Sequence, residues 1–154
     1  MRQGSRLGID VGTARIGVAR SDNHGMLATP VETVRRGSGD IARILALAAE
    51  VQAMELVVGL PIALSGRETA STADARQFAG ELAAATGIPV RMVDERLSTV
   101  SANTMLRAAG RTTKSTRAVV DQVAAVIILQ HALDVERSAE TPPGAVIAPN
   151  KECD

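Results

Sequence analysis

The chain has 154 residues, with seventeen basic and seventeen acidic side chains, 45% hydrophobic residues and 22% charged ones. That length suits one domain with a real core, and that composition is globular rather than disordered. One Phe, no Trp, no Tyr and a single Cys exclude a base-stacking platform for single strands, an internal disulfide and an intrachain metal–thiolate cluster.

The zero net charge indicates no partner by itself, but its distribution is uneven. From Asp134 onward, five acids (Asp134, Glu136, Glu140, Glu152, Asp154) face only Arg137 and Lys151, which leaves 15 basic and 12 acidic residues in the body. All the basic residues except Lys114 and Lys151 are Arg, whose planar fork suits phosphate, although a GC-rich genome produces the same bias. No apolar run has the length of a membrane span, and Met1-Arg2-Gln3-Gly4-Ser5 starts no signal peptide. The expected location is the cytoplasm, with no membrane partner. Cys153 lies in a polar tail and reads as a free thiol.

Residues 6–19 hold two β-branched apolar runs joined by a turn at Gly12, and Asp10 closes the first run. Ser21-Asp22-Asn23-His24-Gly25 is a second turn, and 26–31 resumes an apolar run, so three strands in an antiparallel meander are predicted. His24 occupies the turn with no partner in view for a ligand or general-base role. Ser38 or Asp40 can cap a helix with Ile41, Ile44, Leu45, Ala48 and Val51 on one face. The run Leu56-Val57-Val58-Gly59-Leu60 is a buried strand stopped by Pro61. A loop over 62–70 follows.

Ser71 can cap the next helix, whose inward face is Ala75, Phe78, Ala79, Leu82 and Ala83, with Asp74 near its N-terminal dipole. Gly87 and Pro89 end it, and Val90-Arg91-Met92-Val93 is a strand parallel to the previous one through a right-handed crossover. A short helix is expected over 99–109, with Thr99 as its cap and Ala102, Met105, Leu106 and Ala109 inward. The basic, hydroxyl-rich segment 111–117 then reads as a linker. It leads to a helix of roughly 117–136, apolar around much of its girth. The predicted fold is α/β: a five-stranded mixed sheet, three antiparallel strands then two parallel, flanked by helices. The domain is placed at 1–137, and 138–154 is read as a polar, flexible tail in which 145–148 can dock.

Three carboxylates stand out by context: Asp10 at a strand end, Glu95 just after another strand, and Asp121 on the face of a helix that also carries Ala118, Ala124, Ala125 and Ile128. Each has a plainer explanation. Asp10 can cap its turn, Glu95 can pair with Arg91 or Arg96, and neighbouring Asp94 reads as a surface acid. Asp121 is the hardest to dismiss, because an acid on an apolar face needs a partner. Clustered carboxylates repel unless a cation neutralises them, and an all-oxygen donor set favours Mg²⁺ or Mn²⁺ over zinc. Such ions serve phosphodiester hydrolysis.

The motif Gly8-Ile9-Asp10-Val11-Gly12-Thr13-Ala14-Arg15-Ile16-Gly17-Val18-Ala19 resembles the first motif of the YqgF (RuvX) family. Val57-Val58-Gly59-Leu60-Pro61, Asp94-Glu95-Arg96-Leu97-Ser98-Thr99 and Asp121-Gln122-Val123-Ala124-Ala125-Val126-Ile127-Ile128-Leu129-Gln130 resemble its later motifs, in order. The likeness runs from about residue 6 to 133. It implies a ribonuclease-H-like fold related to the resolvase RuvC, with Asp10, Glu95 and Asp121 as the catalytic, metal-binding acids. It further implies a nuclease that matures the 5′ end of the 16S rRNA precursor, or a Holliday junction resolvase acting on branched DNA.

Arg15 and Arg96, beside the acids in sequence, can hold a phosphate, and Arg111, Lys114 and Arg117 can track a flanking backbone or simply sit solvated in a loop. Few aromatics point to recognition of backbone and of duplex or branched shape, in structured RNA or branched DNA, and not of stacked bases. A resolvase would need two active sites and hence a homodimer. Two other classes compete. Asp-x-Gly-Thr in a β-turn-β also resembles the phosphate loop of the actin and sugar-kinase superfamily, which needs two such domains where this chain has one. A non-catalytic RNA-binding module would have no use for three acids.

Overall fold

The computed structural model describes residues 1–95 and 113–147, with the backbone alone for 113–120. The antiparallel meander is β1 (Arg6–Val11), β2 (Arg15–Ser21) and β3 (Ala28–Arg35). Helix α1 (Asp40–Val51) leads to β4 (Glu55–Leu60), and α2 (Ala70–Ala85) to β5 (Val90–Asp94). β4 lies parallel to both β1 and β5. The last helix, α3 (Thr113–Ala139), precedes β6 (Ala145–Val146).

The sheet runs β3-β2-β1-β4-β5-β6 and so has six strands, not the predicted five. β6 adds antiparallel to β5, with Met92 opposite Ala145 and the Ile147 amide donating to the Val90 carbonyl at 2.9 Å. Gly144, at φ +70°, sits so close to the Met92 carbonyl that no side chain would fit there. A strand of two residues shows no alternation, so its pairing is decided by the edge it meets and not by its own pattern.

Strand alternation sorts the side chains onto two faces. Leu7, Ile9, Ile16, Val18, Leu56, Val58 and Leu60 pack with Ile44 of α1 and Phe78 and Leu82 of α2. On the other face Ala19, Val57 and Val93 pack with Ala125, Ile128 and Leu129 of α3. β4 is buried at every residue, as expected of a central strand covered on both sides.

The helix starts differ from expectation. Neither Ser38 nor Asp40 caps α1; Gly39 takes the N-cap position at φ +91°, and Asp40 accepts from the Gly37 amide at 3.0 Å. α2 is capped by Thr69, not Ser71, in a reciprocal box: the Thr69 amide donates to Thr72 Oγ1 at 2.9 Å and the Thr72 amide to Thr69 Oγ1 at 3.4 Å. Its inward face is the predicted one, with Ala75, Phe78, Ala79, Leu82 and Ala83 all buried. α3 starts at Thr113, so residues 113–117 are helical and not linker. The short helix expected over 99–109 lies outside the described residues.

The N-terminal ends of β1 and β4 are joined by charge. Arg2 bonds Glu55 Oε1 at 3.0 Å and Glu136 Oε1 at 2.7 Å; Arg6 reaches Glu136 Oε2 at 3.1 Å and Arg91 reaches Glu55 Oε2 at 3.1 Å. Arg6, Glu55 and Glu136 are all buried. No helix among the described residues is long and apolar enough to cross a membrane.

Candidate active site

The opposite end of the sheet, where the parallel strands β1, β4 and β5 terminate, holds the predicted acids. By alternation Asp10 shares the α3 face with Gly8, one step beyond the Ile9–Val58 pair. Its antiparallel partner on β2 is Gly17, and on β4 the next residue after Val58 is Gly59. Asp10 therefore lies between two glycines. Any side chain at Gly17 would collide with the backbone carbonyl of Asp121, and any at Gly59 with the Glu95 carboxylate and with Ile128. These two bare positions let α3 and the residue after β5 descend onto the sheet beside Asp10. Gly8 has the same effect deeper in the core, under Leu129. The spacing of Gly8 and Gly17 in an otherwise β-branched hairpin is the sequence signal for this close approach.

The electrostatics follow from this crowding. Burial, and then the charge of Asp121, push the Asp10 carboxyl up to about 6. Burial, then Asp10, then Asp94 push Glu95 up to about 7. Both shifts have the direction expected of carboxylates held together in a dry place. Asp121 is largely covered, and Arg15 Nε donates to its Oδ2 at 2.6 Å. Arg15 leaves β2 directly after the turn, and the turn is itself braced: the Gly12 amide donates to the Arg15 carbonyl at 2.9 Å, and Arg36 Nη1 donates to the Gly12 carbonyl at 2.8 Å.

The structure thus brings Asp10, Glu95 and Asp121 into one electrostatic neighbourhood, with Arg15 on its rim. Among the described residues, no three His, Cys, Asp or Glu side chains stand close enough to grip one ion as they are placed. Of the other predicted contacts, Arg96 and Arg111 lie outside the described residues, as do the side chains of Lys114 and Arg117. His24 stays in the β2–β3 turn, with Nδ1 3.1 Å from Gln3 Oε1. Sequence reasoning missed Gly17 and Gly59; Arg35 lies directly across from Arg15 on β3.

Comparison with known proteins identifies the family and the fold. A protein of Clavibacter michiganensis subsp. michiganensis is 66% identical over 98% of this chain and 96% of its own, and one of Leifsonia xyli subsp. xyli is 60% identical over 97% of each. Both are named "Putative pre-16S rRNA nuclease". Among solved structures, Thermus thermophilus RuvC in complex with a Holliday junction substrate aligns with a TM-score of 0.55 at 17% identity, over 91% of this chain and 99% of RuvC. That likeness establishes the ribonuclease-H-like fold. The model of the RuvX family, described as Holliday junction resolvase, matches residues 4–135. With that match over most of its length, this chain belongs to the RuvX family of nucleases.

Proposed function

We propose that this protein is a metal-dependent endonuclease that trims the 5′ end of precursor 16S rRNA, with Asp10, Glu95 and Asp121 as its metal-binding catalytic acids. The observation that carries this reading is the set of two glycines, Gly17 and Gly59, which draw Asp121 and Glu95 down beside Asp10. A core has no use for such an arrangement, since it places mutually repelling groups together under partial burial.

The donor set fits Mg²⁺ or Mn²⁺: all three groups offer hard oxygens, and two of them are held above their ordinary pKa first by burial and then by the charge of neighbouring acids, both of which a divalent cation would offset. Arg15 takes Oδ2 of Asp121 and leaves Oδ1 available. An ion bound there would supply Lewis-acid polarisation of the scissile phosphate and a more acidic water. The protein's own groups do the rest. Asp10 fixes the floor of the site on a central strand, Glu95 and Asp121 flank it, and Arg15 offers charge to a phosphate oxygen from the rim. Arg96, Arg111, Lys114 and Arg117 are proposed to extend that contact along the backbone.

A second reading is favoured by the family description and by the RuvC fold: cleavage of branched DNA, which would require a twofold dimer to cut both strands. The test is purified protein with Mg²⁺ or Mn²⁺, offered precursor 16S rRNA and a four-way DNA junction separately. Cleavage of the RNA at its mature 5′ end is expected. Cleavage of the junction alone would assign the protein to the second reading.

A further inference from the structure

Arg15 and Arg35 are direct cross-strand partners on β2 and β3. Two pairs further along, and so on the same face, Thr33 faces Gly17 and accepts from Gln122 Nε2 of α3 at 3.0 Å, which places this row on the α3 face, the face of the acids. Two like charges directly opposite on neighbouring strands disfavour the pairing unless an anion sits between them. Asp121 neutralises Arg15 through Nε alone among the described residues. Arg35 is exposed, and its side chain makes no hydrogen bond or ion pair with any described residue.

Its neighbour shows the contrast. Arg36, on the opposite face, is committed in full: to the Gly12 carbonyl at 2.8 Å, to Asp74 at 2.9 and 3.1 Å, and over the Phe78 ring at 5.1 Å. Arg36 holds the turn together. Among the described residues the Arg35 side chain holds nothing, yet it stands across from Arg15, which touches the acid cluster through Asp121.

We propose that Arg15 and Arg35 form a two-arginine seat for a backbone phosphate flanking the cleavage point, so that the nucleic-acid strand leaves the acids across the Arg15–Arg35 end of β2 and β3. This rests on the nucleic-acid-cleaving reading above. Asp121 orients Arg15 by its Nε edge, which leaves the terminal nitrogens as a fork, and Arg35 supplies the second fork at cross-strand distance. A seat organised before binding loses less freedom when a phosphate arrives. The recognised chemistry is the phosphodiester, common to RNA and DNA.

The test is fluorescence anisotropy of a labelled RNA duplex and, separately, a labelled four-way DNA junction, in EDTA and over a series of KCl concentrations. Arg35→Gln is expected to weaken binding about fivefold to tenfold and to lower the salt slope by about 1. Arg35→Lys is expected to keep the slope while losing part of the affinity, because a point charge replaces the fork. Arg43→Gln, on α1 against the other face, removes the same charge and is expected to leave the slope unchanged. A loss on either polymer supports the seat and identifies the polymer it takes. Unchanged affinity and slope for Arg35→Gln on both polymers, with its melting temperature retained, overturns the proposal. Because the binding test is run without metal and with the acids intact, its outcome does not depend on their catalytic role: cleavage surviving in acid-to-amide variants would sink the proposed function and leave the phosphate seat standing.

Discussion

Asp10 and Glu95 are carboxyls that the folded chain makes more reluctant to ionise, with values near 6 and near 7 against ordinary values of 3.8 and 4.5. A raised pKa means that the folded state still holds protons the unfolded chain has released. Stability of the metal-free protein from these two groups is therefore greatest below about 4 and is lost as pH rises toward 7. On the proposed metal-binding role, a divalent cation would reverse that loss by neutralising the charged pair. The gain in melting temperature on adding Mn²⁺ should accordingly be small at pH 5 and grow through pH 8. Differential scanning fluorimetry at several pH values measures it, and Asp10→Asn should flatten the dependence. An equal gain at every pH in wild type would show that the ion binds elsewhere. At this scale the sequence marked the three acids as candidates, because an acid ending an apolar strand, or set in an apolar helix face, needs an unusual partner, and the structure places them in one electrostatic neighbourhood. That Asp121 would be held by Arg15 was not legible, because the contact depends on where α3 crosses β2. Arg35 was hidden for a similar reason, since its meaning lies in the register that puts it opposite Arg15.

Among the elements, α3 depends most on what the sheet lacks. Its Asp121 backbone rests on Gly17, its Leu129 on Gly8, and its Ile128 beside Gly59. Gly17→Ala would push a methyl group into a main-chain carbonyl that has no rotamer to escape by, so the helix itself must shift. We expect destabilisation of about 1–3 kcal/mol and a loss of cleavage larger than that change explains. At Gly59 the obstructing atoms are the ends of the Glu95 and Ile128 side chains, so Gly59→Ala should cost less stability while still impairing cleavage. Urea unfolding and single-turnover rates measured on the same samples separate the two effects. Wild-type activity in Gly17→Ala would mean that the close approach of α3 is incidental. Periodicity found the elements well, because buried strands and the inward face of α2 repeat on their own. It placed the caps wrongly, where Ser38, Gly39 and Asp40, or Thr69, Ser71 and Thr72, compete within a few residues and the winner is set by local backbone geometry. It missed β6, whose two residues carry no repeat.

Across the whole molecule the two ends of the sheet have opposite electrostatic designs. At the acid end, like charges gather. At the other end, Arg2, Arg6, Glu55, Arg91 and Glu136 alternate in sign and tie the N-terminus, β1, β4, β5 and α3 together. Hydrogen bonds from Arg2 hold the Glu136 carboxyl at about 2, below its ordinary 4.5. A depressed carboxylate stabilises the fold above its unfolded pKa and stops doing so as pH falls through the folded value. Glu136→Gln leaves buried Arg6 without its carboxylate and should cost about 3–5 kcal/mol near neutral pH. In urea unfolding, the gap between wild type and variant should shrink between about pH 4.5 and 2; a constant gap would contradict this role. No sequence pattern announces that cluster, since its members lie up to 134 residues apart.

Because the proposed function rests on the acid end of the sheet, the acids are where it is tested. The most direct measurement is single-turnover cleavage of precursor 16S rRNA with Mn²⁺ by Asp10→Asn and Asp121→Asn, with RNA binding measured in parallel. Cleavage should fall at least about a hundredfold in each variant while each still binds RNA. Undiminished cleavage in either variant would contradict the assignment of these acids.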